Sequence, residues 1–230
     1  MSVSVVIPAW NAAATIGEAL ESIAGQTRPA GEVILVDDGS TDATVEIARG
    51  AQPGLRVVRQ ERAGTAAALN RGVEAARGDW LAFLDADDRW PANRLALQQG
   101  WLERDPRLEA VLGRVDAFLC RTAEPAAARR YRLPDPGAVA WLTGALLVRR
   151  DAFLRVGRFA EDLVVGFAID WFDRARAAGL RLAIPEETVL ERRVRPGSLS
   201  HRSVRNDRAY LETVRRALAR RRGAAGPLGG

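Results

Sequence analysis

The sequence has no lysine: all 34 of its basic residues are arginine. It has one cysteine, Cys120, and one histidine, His201. A lone cysteine cannot close an internal disulfide, which excludes a disulfide-stapled secreted scaffold and fits a reducing compartment. Apolar residues never run on for the roughly 20 positions a membrane-spanning helix requires, and the longest candidate, Ala138 to Val148, has about half that length. No basic, apolar, small-residue cleavage pattern precedes the first apolar run, so a cytoplasmic location is expected. The first strand is not followed by G-x-G-x-x-G, which excludes a nicotinamide-dependent dehydrogenase, nor by the Gly-rich basic loop of a nucleotidyltransferase. There is no internal repeat. The net charge of +5 is spread along the chain, so a nucleic-acid partner is not expected. The exception is Val214 to Arg222, with five arginines ahead of a Gly-rich end at 223–230 that is expected to be disordered. Peripheral contact with acidic lipid or a polyanionic acceptor is the functional reading of that cluster; a solvated helix end is the plain one.

What remains is an ordinary globular composition, 47% hydrophobic and 27% charged over 230 residues, which suits one well-buried α/β domain. In the first half, short β-branched runs alternate with amphipathic stretches. "SVSVVIP", "EVILVDD", "LRVVRQ" and "WLAFLDADD" read as strands. "TIGEALESIAGQ", "STDATVEIARG" and "GTAAALNRGVEAARG" read as helices, the second with Ser40 or Thr41 as its cap and the third ending at Gly78. That alternation predicts a mostly parallel central sheet with helices on both faces, whose ligands bind where the strand ends gather. The second half is less regular, with helices at "PANRLALQQGWLERDP", "IDWFDRARAAG" and "YLETVRRALARRR" and one or two strands in "EAVLGRVDAFLC". A Pro- and Arg-rich connection near Arg129 to Arg132 has the length of a lid.

Two features carry chemistry. In "FLDADD", Asp85, Asp87 and Asp88 crowd the end of an apolar run, and like charges that close repel unless a cation sits among them. If the run is a strand, Asp85 and Asp87 project from one side and can converge on a hard divalent cation, Mg²⁺ or Mn²⁺. A cation held by one or two carboxylates fills its shell with phosphate oxygens and water, which points to a nucleoside diphosphate. In "VDDGSTD", Asp37 and Asp38 reach the same sheet edge, where a carboxylate can accept from a base N–H or a ribose hydroxyl.

Taken in order with "VVIPAWN", these segments resemble the family 2 glycosyltransferases, which have the nucleotide-binding fold called GT-A. The residues that match are Pro8, Ala9 and Asn11; Gln26; Asp37, Asp38, Gly39, Ser40 and Asp42; Gly64, Asn70 and Gly72; and Asp85, Ala86, Asp87 and Asp88. The resemblance implies a donor half over residues 1–95 and an acceptor half over 96–222 of a single domain. It also implies inverting transfer of a sugar from a nucleoside diphosphate sugar, usually a uridine one, to an acceptor nucleophile. The metal then lies on Asp87, with Asp85 at the metal or the ribose, and Trp141, Thr143 and Gly144 line the acceptor side. The acceptor is left open among glycans, lipid-linked intermediates, peptides and natural products.

Four positions depart from that pattern. Where many members carry Glu-Asp, the Asp being the base, this chain has Phe167 and Ala168. The nearest carboxylate, Asp170, reads equally as a catalytic base and as a helix-start carboxylate paired to Arg174. Arg195 stands where a metal-binding His is common and suits a diphosphate instead. Leu69 replaces a cation, His201 has no second ligand at a metal-site spacing, and Trp141 is either core or acceptor wall. A nucleotide-sugar-binding protein with little or no transfer is therefore the alternative.

Overall fold

The computed structural model describes residues 1–120 and 139–194, and in the C-terminal segment 212, 213, 215–217, 219 and 220. The Arg129 to Arg132 connection, Arg195, His201 and the tail at 223–230 lie outside the described residues.

The chain runs β1 (Val3–Ala9), α1 (Ile16–Ala24), β2 (Glu32–Asp37), α2 (Thr44–Ala51), β3 (Arg56–Arg59), α3 (Thr65–Ala75) and β4 (Trp80–Phe83). It continues through α4 (Arg94–Arg104), β5 (Ala110–Leu112), β6 (Arg114–Leu119), a 3₁₀ turn at Thr143–Ala145, β7 (Leu146–Arg149), α5 (Arg150–Val156), α6 (Phe167–Ala177), β8 (Leu182–Ala183) and β9 (Thr188–Val194). Among the described residues, seven strands form the main sheet in the order β3-β2-β1-β4-β7-β5-β8, while β6 and β9 pair separately. The first four strands are mutually parallel and β7 is the reversed one.

All seven residues of β1 are buried, as expected for a central strand covered on both faces. Right-handed crossovers put α1 and α2, which move outward from β1 to β3, on one face and α3, which returns across the sheet to β4, on the other. α3 packs on β1 and β2 through Gly72, where a Cβ would run into Val6 and press on Val36. The chain order reverses beside β1, so the C-terminal ends of β1, β2 and β4 gather at one edge of the sheet, where ligands of open α/β sheets bind.

Three local expectations are corrected. Ser40 and Thr41 do not cap α2; the Asp42 carboxylate accepts from the Thr44 N–H at 3.0 Å instead. α3 ends at Ala75 rather than Gly78, which is a glycine because a Cβ there would lie 2.7 Å from Ser4 Oγ. β4 stops at Phe83, and Asp85 to Asp88 form a turn closed by the Asp88 N–H on the Asp85 carbonyl at 3.1 Å. The helix in "IDWFDRARAAG" does end as expected: Gly179 (φ 71°) and Leu180 donate to Arg176 and Ala175, a Schellman closure.

Candidate functional site

The loops after β1 and β2 are tied to each other. Asn11, in the left-handed region at φ 48°, accepts from the Thr41 N–H at 2.9 Å, and its own N–H donates to Ser40 Oγ at 3.0 Å. The Ala12 and Ala13 N–H groups donate to Thr44 Oγ1 and Asp42 Oδ2. The residues of "GSTD" thus join two strand ends. Pro8 lies beyond the last residue pair of β1 with β4, so its missing N–H removes nothing on that side. Ala9 closes β1, and its carbonyl accepts from the Asp38 N–H.

Asp37 and Asp38 are both buried at the end of β2. Asp37 accepts from the Ser40 N–H at 3.1 Å. Asp38 accepts from Gln60 Nε2 (2.8 Å), the Ala63 N–H (2.8 Å) and the Gly64 N–H (2.9 Å), so it fixes the loop from β3 to α3. A carboxylate offers about four acceptor positions, which leaves one more for a ligand. Gly64 starts α3 at φ 96°, a conformation that favours glycine, and no atom lies within 4 Å of where its Cβ would be. The backbone there is open to close approach by a ligand. Above the same edge the Arg62 guanidinium lies 3.1 Å from the ring centre of the half-exposed Trp10. Gln60, Arg62 and Trp10 carry no motif that marks them in the sequence.

Asn70 is engaged within the protein. Its amide donates to the Phe159 carbonyl (3.0 Å) and Glu161 Oε1 (2.8 Å) and accepts from the Phe159 N–H (3.0 Å), so it holds the segment ahead of α6.

The Asp85–Asp88 turn carries the strongest electrostatic signal. Burial and the neighbouring Asp87 push the Asp85 carboxyl up to about 6, against the pull of Arg192. Burial, then Asp85 and Asp87, push Asp88 well above the usual carboxylate range, opposed by the Arg193 N–H and Arg192. Ala86 is buried between them. Asp88 accepts from the Arg193 N–H at 2.8 Å and so anchors β9, leaving Asp85 and Asp87 as the metal candidates. Among the described residues no three Asp, Glu, His or Cys side chains are grouped to hold a metal alone. Crowded, desolvated carboxylates without a full ligand set fit a divalent cation that takes its other ligands from a bound phosphate and water.

At the start of α4, Arg94 is fully buried with no carboxylate in ion-pair reach among the described residues. It donates to the carbonyls of Gly144 (2.6 Å) and Leu146 (3.1 Å) and to Gln98 Oε1 (3.0 Å), and it lies over Trp90 at 3.7 Å. Thr143 and Gly144 are thereby fixed and buried, and a Cβ on Gly144 would meet Leu190 at 2.9 Å. Trp141 is 44% exposed and meets Phe172 edge-on at 5.1 Å, so it lies at the surface rather than in the core. Asp170 is 2% exposed, with one oxygen on Arg174 Nε and the other on Arg220 Nη1, both at 2.9 Å. Of its two readings, the structure favours the anchoring one. The C-terminal segment that brings Arg220 also buries Thr213 against Gly166, where any Cβ would strike it.

An α/β sheet with its ligand crevice at β1, β2 and β4, and a carboxylate turn after β4, defines a GT-A nucleotide-binding fold. The family model for glycosyl transferase family 2 matches residues 4–157, and the chain belongs to that family. The glycosyltransferase AglE of Haloferax volcanii is 31% identical over 81% of this chain and 65% of its own length. The uncharacterised glycosyltransferase YibD of Escherichia coli is 46% identical over 37% of this chain and 26% of its own. The chain thus spans less than two thirds of these relatives. Among solved structures, the mannosyltransferase PcManGT of Pyrobaculum calidifontis, in complex with GDP-Man and Mn²⁺, has a TM-score of 0.72 at 26% identity, covering 94% of this chain and 64% of that one. TarS of S. aureus in complex with UDP superposes at a TM-score of 0.71 and 20% identity, with the same coverage, and shares the fold.

Proposed function

We propose that this chain is a metal-dependent, inverting glycosyltransferase that moves a sugar from a nucleoside diphosphate sugar, a UDP-sugar first, to an acceptor nucleophile. The observation that carries the reading is the meeting of two carboxylate sites at one sheet edge. Asp38 fixes the open Gly64 backbone, and Asp85 and Asp87 crowd the turn after β4. Complexes of the structural neighbours with UDP, UDP-GlcNAc and GDP-Man support nucleotide-sugar use. In transfer, the bond from the anomeric carbon to the diphosphate oxygen breaks with its electron pair leaving on the diphosphate. The acceptor oxygen forms the new bond and passes its proton to a water molecule, both oxygens of the candidate base Asp170 being held by arginines. Mn²⁺ or Mg²⁺ held by Asp87 and Asp85 would offset the charge that gathers on the leaving group. Asp38 and the Gly64 backbone position the nucleoside, and Trp141 with the Thr143 turn bounds the acceptor.

A second reading, a nucleotide-sugar-binding protein with weak or no transfer, is favoured by one observation. Both Asp170 oxygens are engaged by arginines, and Ala168 has no proton-accepting group. Isothermal titration with UDP, GDP and their sugars, with and without Mn²⁺, followed by a sugar-release assay, separates the two. Metal-dependent binding with release supports the transferase; binding without release under any acceptor supports the second reading. Asp87→Ala should lose metal-dependent nucleotide binding, and unchanged binding in that variant would refute the metal assignment.

A further inference from the structure

One arginine grips the carboxylate turn at two successive residues. Arg193 of β9 donates through its backbone N–H to Asp88 Oδ1 at 2.8 Å and through Nε to the Asp87 carbonyl at 2.8 Å. Its Nη2 donates to Glu18 Oε2 on α1 at 2.6 Å. The guanidinium lies 4.8 Å from the ring centre of Phe118 on β6, and the residue is 8% exposed. Arg89, next after the turn, joins the same cluster. Its backbone and that of Glu191 exchange hydrogen bonds at 3.0 and 2.9 Å, and its guanidinium pairs with Glu191 at 2.9 Å and lies 4.3 Å from the Phe118 ring. Elements far apart in the chain, α1, β6 and β9, thus meet at the turn, and the Arg193 side chain links them to its backbone.

We propose that Arg193 is a positioning residue for the metal: by holding the Asp87 carbonyl while Glu18 holds its far end, it fixes the turn that offers Asp85 and Asp87 to a divalent cation. This rests on the reading of that turn as the metal site. Three neighbouring carboxylates repel one another and would spread a turn that nothing held. A turn already fixed takes up its cation without a further ordering cost. Arginine suits the task because two nitrogens of one rigid, charged plane serve Asp87 and Glu18 together, whereas lysine carries the charge on a single nitrogen without that fork.

The test follows Mn²⁺ binding at saturating UDP or GDP, read from the electron paramagnetic resonance signal of free Mn²⁺, in wild type, Arg193→Lys and Glu18→Ala, with amide exchange measured on the same proteins. Groups that orient metal ligands typically account for about 10- to 100-fold in metal affinity. Arg193→Lys, which keeps the charge and loses the fork, should weaken Mn²⁺ by a factor in that range. Glu18→Ala, which frees only the far end of the guanidinium, should weaken it by less. Exchange should quicken at 85–89 and stay at wild-type rates in β1 and β2. Wild-type Mn²⁺ affinity in Arg193→Lys would overturn the assignment, since charge alone would then suffice. A loss accompanied by faster exchange throughout β1 and β2 would also overturn it, because that marks a support of the whole fold. Should Arg193→Lys fail to fold, Glu18→Ala decides by the same two readings, its side chain being half-exposed. If wild type itself takes up no Mn²⁺ with either nucleotide, the metal reading fails and the assignment falls with it; equal uptake by wild type and both variants rejects Arg193 alone.

Discussion

At the scale of single residues, Asp170 shows how one carboxylate's role follows from what touches it. Each of its oxygens faces a guanidinium, and almost none of its surface reaches solvent. Arg174 continues the contact, donating to the carbonyls of Val156 (2.9 Å) and Arg158 (2.7 Å), so the carboxylate, α6 and the 156–158 segment form one unit. Removing the Asp170 charge leaves Arg174 without its carboxylate while Arg220 keeps Asp173, and breaking a buried pair costs on the order of 3 kcal/mol. Asp170→Asn should therefore lower the urea midpoint substantially while nucleotide and Mn²⁺ affinities at the opposite half of the crevice stay at wild-type values. An unchanged midpoint together with lost sugar transfer would instead make Asp170 the base.

At the scale of elements, the helices and strands of the first half are legible because each satisfies a local period. β1 and β2 are continuous apolar runs, and α1 buries Ile16, Ala19, Leu20 and Ile23 at helical spacing. Ends are less legible, since they depend on distant partners. Gly78, which reads as the end of α3, is instead fixed by its packing on Ser4, and the cap of α2 is replaced by a loop tied to Asn11. The carboxylate motif is visible in sequence, but its geometry is not: a strand end would aim Asp85 and Asp87 alike, whereas a turn presents all three acids and hands Asp88 to β9 more than a hundred residues later. Arg94 is equally invisible. An arginine at the start of a polar helix reads as a surface charge, yet its guanidinium is buried against the turn that holds Thr143 and Gly144. Arg94→Met removes the donors of those carbonyls, and one or two unsatisfied buried acceptors cost about 1–3 kcal/mol each. Expected are a lower thermal midpoint and a loosened acceptor side, read as faster amide exchange at 143–147 with exchange in β1 and β2 little changed. Uniform exchange across the sheet would show that Arg94 supports the whole fold instead.

At the scale of the whole molecule, the carboxylate turn makes stability depend on pH and metal together. Asp85, raised to about 6, and Asp88, raised well above the usual carboxylate range, bind protons in the folded protein at pH values where the unfolded chain, with carboxyls near 4, has released them. Wherever the folded state binds more protons, stability falls as pH rises. Carboxylates held low act oppositely, as in Glu32, where burial is outweighed by hydrogen bonds from Ser4 and the Arg77 and Gly78 N–H groups. Their contribution is present above about pH 4.5 and is lost below it, so between about pH 5 and pH 7 the Asp85–Asp88 turn sets the sign. Metal-free protein in EDTA should thus have a higher urea midpoint at about pH 5 than at about pH 7. The comparison is made in a His201→Gln background, which removes the one histidine of the chain. Saturating Mn²⁺ with UDP competes with protons for the same oxygens and binds more tightly at the higher pH, so the order of the two midpoints should invert. A metal-free protein that is no less stable at pH 7 would mean that Arg192 and Arg193 already balance the turn, and the case for a metal between Asp85 and Asp87 would lose its electrostatic basis.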